Sequence, residues 1–448
     1  MVLGTLKLLR AAAFASLGFA LACSSAVTGS GRARAQGATA SLDARALDAQ
    51  TKRDVTDINE LAFAAFVDEI LRVHGRPGAV VAVTNDGSVV WKRGYGFADV
   101  AHAIPMDPDH TLFLGASLSK PVLTVAVLMV LEDLARTTKV TLDWLLDRDV
   151  DVLLAAPDAR VLHVRNPHHP DAPISLRMLL AHVSGIHDHY GLVAHHVPVS
   201  GPAFAHPAID PLRDVIADYT DPSGRFFEGK DFGLDAPGES VSYSSIAFSI
   251  AGLVVEAQTG MPFERFVQER IFIPLGMNDT AWRLAEVPRA QTGALTLALP
   301  YRHGGDGPTL VEPSIWENVF YPSASLRTTA VDYARFASAL ESSLRGDGTL
   351  LAKQASMEMT RTQFPLAAPG RTLGLLRTQR GQSTVVVHGG ANDGYRHEAF
   401  FSLNPALGVA GVVMTNGDDE TNGMAEPMIV SEIMAALESG AFPISVSP

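Results

Sequence analysis

Apolar residues recur at helical spacing from Ile58 through Leu61, Ala62, Ala65, Phe66, Ile70 and Val73, and Gly75 with Pro77 stops the run. This pattern predicts a first helix. Two β-rich runs follow, Ala79 to Thr84 and Val89 to Arg93, joined through Asn85-Asp86-Gly87, the turn chemistry of a hairpin. The same signal returns near the other end of the chain in Ser383 to Val387, Tyr395 to Leu403 and Val409 to Thr415, with Asn404-Pro405 and Gly408 as punctuation. A last helix is predicted from the stripe Met428, Ile429, Ile433, Met434 and Leu437.

The middle of the chain reads differently. From Ser117 to about Leu344 the pattern is mainly helical and is broken by Pro-, Gly- and His-rich loops, with no internal repeat. Strands at both ends with helices between them predict an α/β (α+β) fold, in which N- and C-terminal strands form one antiparallel sheet flanked by helices and a mainly helical subdomain is inserted. The domain is expected to span residues 53–441, with a sheet region at about 53–115 and 345–441 and the helical subdomain at about 116–344. A cleft between the two regions is the natural place for a site.

The first residues read as a targeting signal. Lys7 and Arg10 precede an apolar stretch, Ala11 to Ala22, that is too short to span a bilayer as a helix. Residues 1–22 are therefore expected to be a removable signal peptide and 23–52 a flexible leader rich in Ala, Ser and Gly. Ala20-Leu21-Ala22 before Cys23 suits ordinary signal peptidase or lipoprotein peptidase, and Ala33-Arg34-Ala35 offers another cut. The expected location is outside the cytoplasm: periplasmic, secreted, or held by a lipid anchor at Cys23.

Composition narrows the chemistry. The chain has 448 residues, 47% of them hydrophobic and 19% charged, which excludes a disordered protein. A formal charge of -13 argues against nucleic-acid binding, which needs clustered Lys and Arg. Cys23 is the only cysteine, so an internal disulfide framework, a Cys-rich zinc site and a Cys-x-x-Cys redox pair are all excluded.

Ser117-Leu118-Ser119-Lys120 stands just before the apolar stretch Val122 to Leu131, with Pro121 suited to a first helical turn. Three residues apart on one helix face, the hydroxyl of Ser117 and the amine of Lys120 can meet, and an amine in a dry pocket can accept the hydroxyl proton. Alone, the same spacing also fits a capping Ser beside a surface Lys. Two further elements accompany it. Tyr243-Ser244-Ser245 follows Pro237-Gly238-Glu239 and opens the helical run Ile246 to Val255. His388-Gly389-Gly390 ends a strand where a backbone without bulky side chains lets a substrate lie along the sheet edge.

With these three motifs the sequence resembles the serine beta-lactamase and penicillin-binding-protein superfamily, in particular its class C beta-lactamase-like branch, which also holds esterases and D-amino-acid peptidases. The resemblance runs from about residue 57 to 440 and takes in Ile174 to Gly185, Thr259 to Phe263, Pro274 to Met277 with Thr280, and Ser323 to Thr329 with Asp332. It implies that Ser117 is a nucleophile forming an acyl-enzyme. It also implies that Lys120 and Tyr243 share the proton work, Tyr243 as a phenolate-like base beside the Lys ammonium and then as acid for the leaving group. The backbone N–H groups of Ser117 and Ala391 would form the oxyanion hole. Ser245, His388, Gly389, Gly390 and Ala391 would line the substrate.

Two positions depart from the pattern. Ser245 stands where the family commonly has Asn, losing the amide that holds an acylamido group, and His388 stands where beta-lactamases usually have Lys. Both losses fall on beta-lactam and peptide recognition rather than on acyl transfer. The expected substrate is therefore a simple ester or small amide, with D-amino-acid peptidase or weak beta-lactamase activity as an alternative. A non-catalytic binder or sensor of cell-wall fragments is a third reading, although such a protein has no chemical reason to keep Ser117, Lys120 and Tyr243 together.

No cofactor is expected. Nine of the 15 histidines fall between His163 and His206, among them His168-His169, His187-Asp188-His189 and His195-His196, but they lie in loops without the His-Glu-x-x-His spacing of a helical metal site. His182, just before Ser184-Gly185, reads as structural. No Gly-x-Ser-x-Gly elbow occurs, and Gly94-Tyr95-Gly96 lacks the third glycine of a phosphate loop. The loop insert from about Ile186 to Asp235 is where specificity is expected to reside, and the sequence is silent on oligomeric state.

Overall fold

The computed structural model describes residues 59–156, 161–188, 196–198, 211–304, 307–311, 316–318, 320–348, 350–418 and 424–442. The targeting segment, the leader and Cys23 lie outside the described residues, as does much of the His-rich insert.

Helix α1 covers 59–73 and leads into β1 (Gly78–Asn85) and β2 (Ser88–Asp99). The hairpin turns at Asp86 and Gly87, both at positive φ (43° and 90°), which is why Gly follows Asp there. With β3 (Ile104–Pro105), β4 (Leu376–Arg380), β5 (Ser383–Asn392), β6 (Tyr395–Ser402) and β7 (Val409–Thr415), these strands form one seven-stranded sheet in the order β4-β5-β6-β7-β1-β2-β3. The two ends of the chain close it: β1 pairs antiparallel with β7, placing Val81 opposite Val413. The predicted antiparallel sheet made from both termini is therefore what the chain forms.

Strand alternation sends successive residues to opposite faces. Val81, Val83, Val385, Val387, Phe400 and Val413 pack with Val67 and Ile70 of α1 and with Ile429, Val430 and Ile433 of the last helix. Val80, Ala82, Val386, Ala399, Phe401, Val412 and Met414 join the larger core on the other face. That core contains α2 (Ser119–Thr138), the short α3 (Leu176–Leu180), α4 (Ser245–Thr259) and α5 (Ala330–Arg345); the last helix is α6 (Ala425–Glu438). A buried ion pair, Arg76 to Glu426 at 3.0 Å, ties the exit of α1 to α6, and Glu426 also accepts from Thr415 at 2.8 Å.

One expectation needs correction. Helix α5 was assigned to the inserted helical subdomain ending near 344, yet it packs directly on β1, β2, β6 and β7. Its apolar stripe, including Tyr333, Phe336, Ala337 and Leu340, covers the sheet, so this helix belongs with the sheet region. Helices α2 and α4 pack on each other and carry the predicted Ser-Lys and Tyr-Ser motifs at their N-terminal ends.

Candidate active site

Ser117 lies in a tight 3₁₀ turn, Ala116–Leu118, that runs straight into α2. In such a turn residues three apart are nearly eclipsed, which brings Lys120 under the hydroxyl. The turn is held at a cost: Ala116 has φ of 47°, a left-handed conformation worth about 1–2 kcal/mol of strain for a residue with a Cβ. Surrounding bonds enforce it. Gly115 N–H donates to Leu326 O at 2.7 Å, Ser119 Oγ donates to Ala116 O at 2.6 Å, and Leu326 N–H donates to Ser119 Oγ at 3.1 Å.

Lys120 is fully buried, and its Nζ has three oxygen partners: Ser117 Oγ at 3.0 Å, Ser323 O at 3.2 Å and Ser245 Oγ at 3.3 Å. Three acceptors match the three donors of an ammonium group. The same Nζ lies 4.8 Å from the ring centroid of Tyr243 and 5.7 Å from that of Phe248. From the other side Tyr243 Oη donates to Ser117 Oγ at 2.8 Å. The structure thus brings Ser117, Lys120 and Tyr243 together from positions 126 residues apart.

Ser244 caps α4, its Oγ accepting from Ala247 N–H at 3.0 Å. A second cap was not legible beforehand. Asp188 Oδ1 accepts from the backbone N–H of Ser245 at 2.6 Å and of Ile246 at 3.0 Å, and from Ser244 Oγ at 3.2 Å, placing a carboxylate on the positive end of the helix. Within His187-Asp188-His189 the carboxylate of Asp188 thus fixes the segment that carries Tyr243. Among the described residues no group of three His, Cys, Asp or Glu side chains is disposed to hold a metal ion.

Ser245 is only 6% exposed, with its hydroxyl turned toward Lys120. His388 is buried beside Tyr243, ring centroids 6.4 Å apart. Its Nδ1–H donates to Gly389 O at 2.7 Å, and burial, assisted by the charge of Lys120, pushes its pKa down to about 3. The imidazole is uncharged at neutral pH and supplies no cation to a substrate. Arg371, half-buried within electrostatic reach of Tyr243 and His388, has no hydrogen-bond or ion-pair partner for its guanidinium among the described residues. Nothing in the local sequence around Arg371 signals this placement.

Strand β5 forms the opposite wall. Val385 to Val387 are paired on both sides, but β4 covers only Ser383 to Val387, so among the described residues His388 to Asn392 present an edge with no second strand beside it. This edge comes close to the serine turn: a Cβ on Gly390 would stand 2.6 Å from Gly115 O, whereas one on Gly389 would meet nothing nearer than His397 O at 3.6 Å. Gly390 is therefore required by close approach, and Ala391 follows it on that edge. Three other residues shared with the family pattern hold the scaffold together. Thr280, Thr328 and Asp332 form a buried network in which Thr280 Oγ1 is 2.8 Å from Thr328 Oγ1 and Asp332 Oδ2 accepts from Asp279 N–H at 2.7 Å.

A mixed sheet-and-helix fold with a serine hydroxyl between a buried lysine and a tyrosine defines a serine hydrolase of the transpeptidase-like kind. The Beta-lactamase family model matches residues 63–431, and the chain belongs to that family. It is 26% identical over 404 residues to penicillin-binding protein 4 of Amycolatopsis lactamdurans, covering 85% of this chain and 91% of that protein. It is 31% identical over 254 residues to the esterase EstB of Burkholderia gladioli, covering 56% of this chain and 57% of the esterase. Among solved structures, the D-amino acid amidase of Ochrobactrum anthropi has the same fold, with a TM-score of 0.62 at 21% identity over 85% of this chain and 99% of the amidase.

Proposed function

We propose that this protein hydrolyses simple esters or small amides through an acyl-enzyme on Ser117. The observation that carries the reading is the approach of Lys120 Nζ and Tyr243 Oη to one hydroxyl, at 3.0 and 2.8 Å. In the reacting state Tyr243 is the phenolate, stabilised by the Lys120 ammonium. Ser117 Oγ attacks the substrate carbonyl as its proton passes to Tyr243 Oη, and the backbone N–H groups of Ser117 and Ala391 receive the charge on the carbonyl oxygen. Tyr243 then gives that proton to the departing alcohol or amine as its bond to carbon breaks. Water repeats the sequence: it loses a proton to Tyr243 and attacks the acyl carbon, and Ser117 Oγ leaves with the proton from Tyr243.

The ester preference is supported by what surrounds these groups. Ser245 spends its hydroxyl on Lys120 and has no amide to hold an acylamido arm, and His388 is uncharged. The similarity to an esterase agrees with this preference. A fluorophosphonate probe read by intact mass is the direct test, with a single adduct on the wild type and none on Ser117→Ala expected; an unlabelled wild type ends the reading. Nitrophenyl esters, D-alanyl peptides and a chromogenic cephalosporin assayed side by side should rank in that order, and a cephalosporin turned over faster than the esters would reverse the assignment of substrate.

A further inference from the structure

His182 is 2% exposed and sits at φ of 60°, a left-handed backbone that a residue with a Cβ seldom adopts. Its imidazole stacks on the ring of Tyr243, centroids 4.3 Å apart and planes 28° apart, with Phe248 behind it at 4.7 Å. Its Nδ1 accepts from Ser244 N–H at 3.1 Å, and its carbonyl accepts from Ser242 N–H at 2.8 Å. The residue thus grips the backbone on both sides of Tyr243 and the ring between them. With Nδ1 accepting, the proton lies on Nε2, which is buried and has no hydrogen-bond partner among the described residues.

Buried His397, by comparison, uses both nitrogens: its Nε2–H donates to Leu114 O at 2.9 Å, and its Nδ1 accepts from Thr415 N–H at 3.3 Å. His182 carries a strained backbone and an unsatisfied donor instead, both unfavourable, and what it gains is a flat face against Tyr243. That phenol is 41% exposed, so one side of its ring would otherwise stand free. Burial and the nearby charge of Lys120 hold the imidazole well below its ordinary pKa, so the face against the phenol is uncharged.

We propose that His182 is a positioning residue for Tyr243, holding the phenol ring by stacking so that its oxygen stays aimed at Ser117 Oγ. This rests on the reading of Ser117 and Tyr243 as the reacting pair. His182 touches no substrate and exchanges no proton. Its contribution is orientation, and a misaligned base loses rate steeply even when binding is untouched.

His182→Asn tests it. Asn tolerates the left-handed backbone and can set its Oδ1 where Nδ1 accepts from Ser244, while removing the ring face. The expected result is a kcat on a nitrophenyl ester lowered about 10- to 100-fold with KM within about threefold, since only orientation of the base is lost. In a Tyr243→Phe background the same substitution should change kcat by less than about twofold, because there is no phenol left to aim. An equal loss in both backgrounds, or wild-type kcat in the single variant, overturns the proposal. His182→Phe restores a flat face without the acceptor and should recover part of the loss; recovery of none in a folded variant means that a flat face is not what aims Tyr243, and also overturns it. Should either variant fail to fold, wild-type protein must still show nuclear Overhauser contacts between the His182 and Tyr243 rings, and their absence refutes the stack. Fluorophosphonate labelling of the wild type separates the two ideas: no adduct defeats the serine mechanism, whereas an adduct together with a neutral His182→Asn defeats only the role of His182.

Discussion

The two walls of the site are built by opposite means. The helical wall presents side chains: Ser117, Lys120, Tyr243 and Ser245 extend from the first turns of α2 and α4 and from the segments just before them. The sheet wall presents backbone, the free edge of β5 from His388 to Asn392, brought close by a glycine. One wall should therefore be sensitive to what a residue carries, and the other to how much room it takes.

The largest effects belong to the helical wall. Ser117→Ala removes the proposed nucleophile and should lower kcat by roughly 10⁶-fold, as loss of a serine nucleophile does elsewhere. Steady-state turnover near the wild-type value would return the site to the status of a binding pocket. Lys120→Ala and Tyr243→Phe should each cost about 10³- to 10⁴-fold, and the double variant little more than either alone, because the two groups act as one proton-transfer unit. Losses that multiply would mean that the lysine and the phenol work independently.

The sheet wall gives the sharper comparison because two adjacent glycines differ. Gly390→Ala must push β5 away from Gly115, and removing one oxyanion donor from its position costs about 10²-fold in kcat by analogy with other hydrolases. Gly389→Ala has open space and should stay within a few-fold. Burst kinetics with a nitrophenyl ester would distinguish them. A larger loss at Gly389 than at Gly390 would show that the edge is used for something other than close approach.

The contrast between the walls also explains what was legible in the sequence. The hairpin β1–β2, strands β5 to β7 and the last helix are local patterns that period and turn chemistry expose, whereas Ser117, Lys120 and Tyr243 gain roles only from the family resemblance. Strand β4 was missed because Leu-Arg-Thr-Gln-Arg is the charged, polar sequence of an edge strand rather than a β-rich run. Helix α5 was misassigned because an amphipathic stripe says that a helix is covered and not by what. The stack of His182 on Tyr243, the capping by Asp188 and the approach of Arg371 to Tyr243 join residues tens of positions apart or more. Nothing in the spacing of a single chain announces them, and from the sequence His182 reads only as a structural residue before Ser184-Gly185.

The smallest expected effect compares buried histidines with the rest of the protein. Burial pushes the pKa of His397 down to about 4, from about 6.5 in an unfolded chain. The folded state thus binds fewer protons than the unfolded one between these values, so stability is fully present above pH 6.5 and is lost as pH falls toward 4. Carboxyls raised by burial, Glu256, Asp332 and Glu398, act in the opposite sense as pH falls. The wild-type curve mixes the two signs, and a difference measurement isolates the histidine. Urea unfolding of wild type and His397→Gln at pH 7, 6 and 5 should show a wild-type slope steeper by up to about 1.4 kcal/mol per pH unit below pH 6.5, one proton's worth. Gln can keep a donor for Leu114 O, so the variant should fold, and parallel curves would mean that His397 is protonated inside the protein below about pH 6.5, as in the unfolded chain. That outcome would place a positive charge behind Gly390 and make the sheet wall electrostatically active, erasing the division between a wall of functional groups and a wall of backbone.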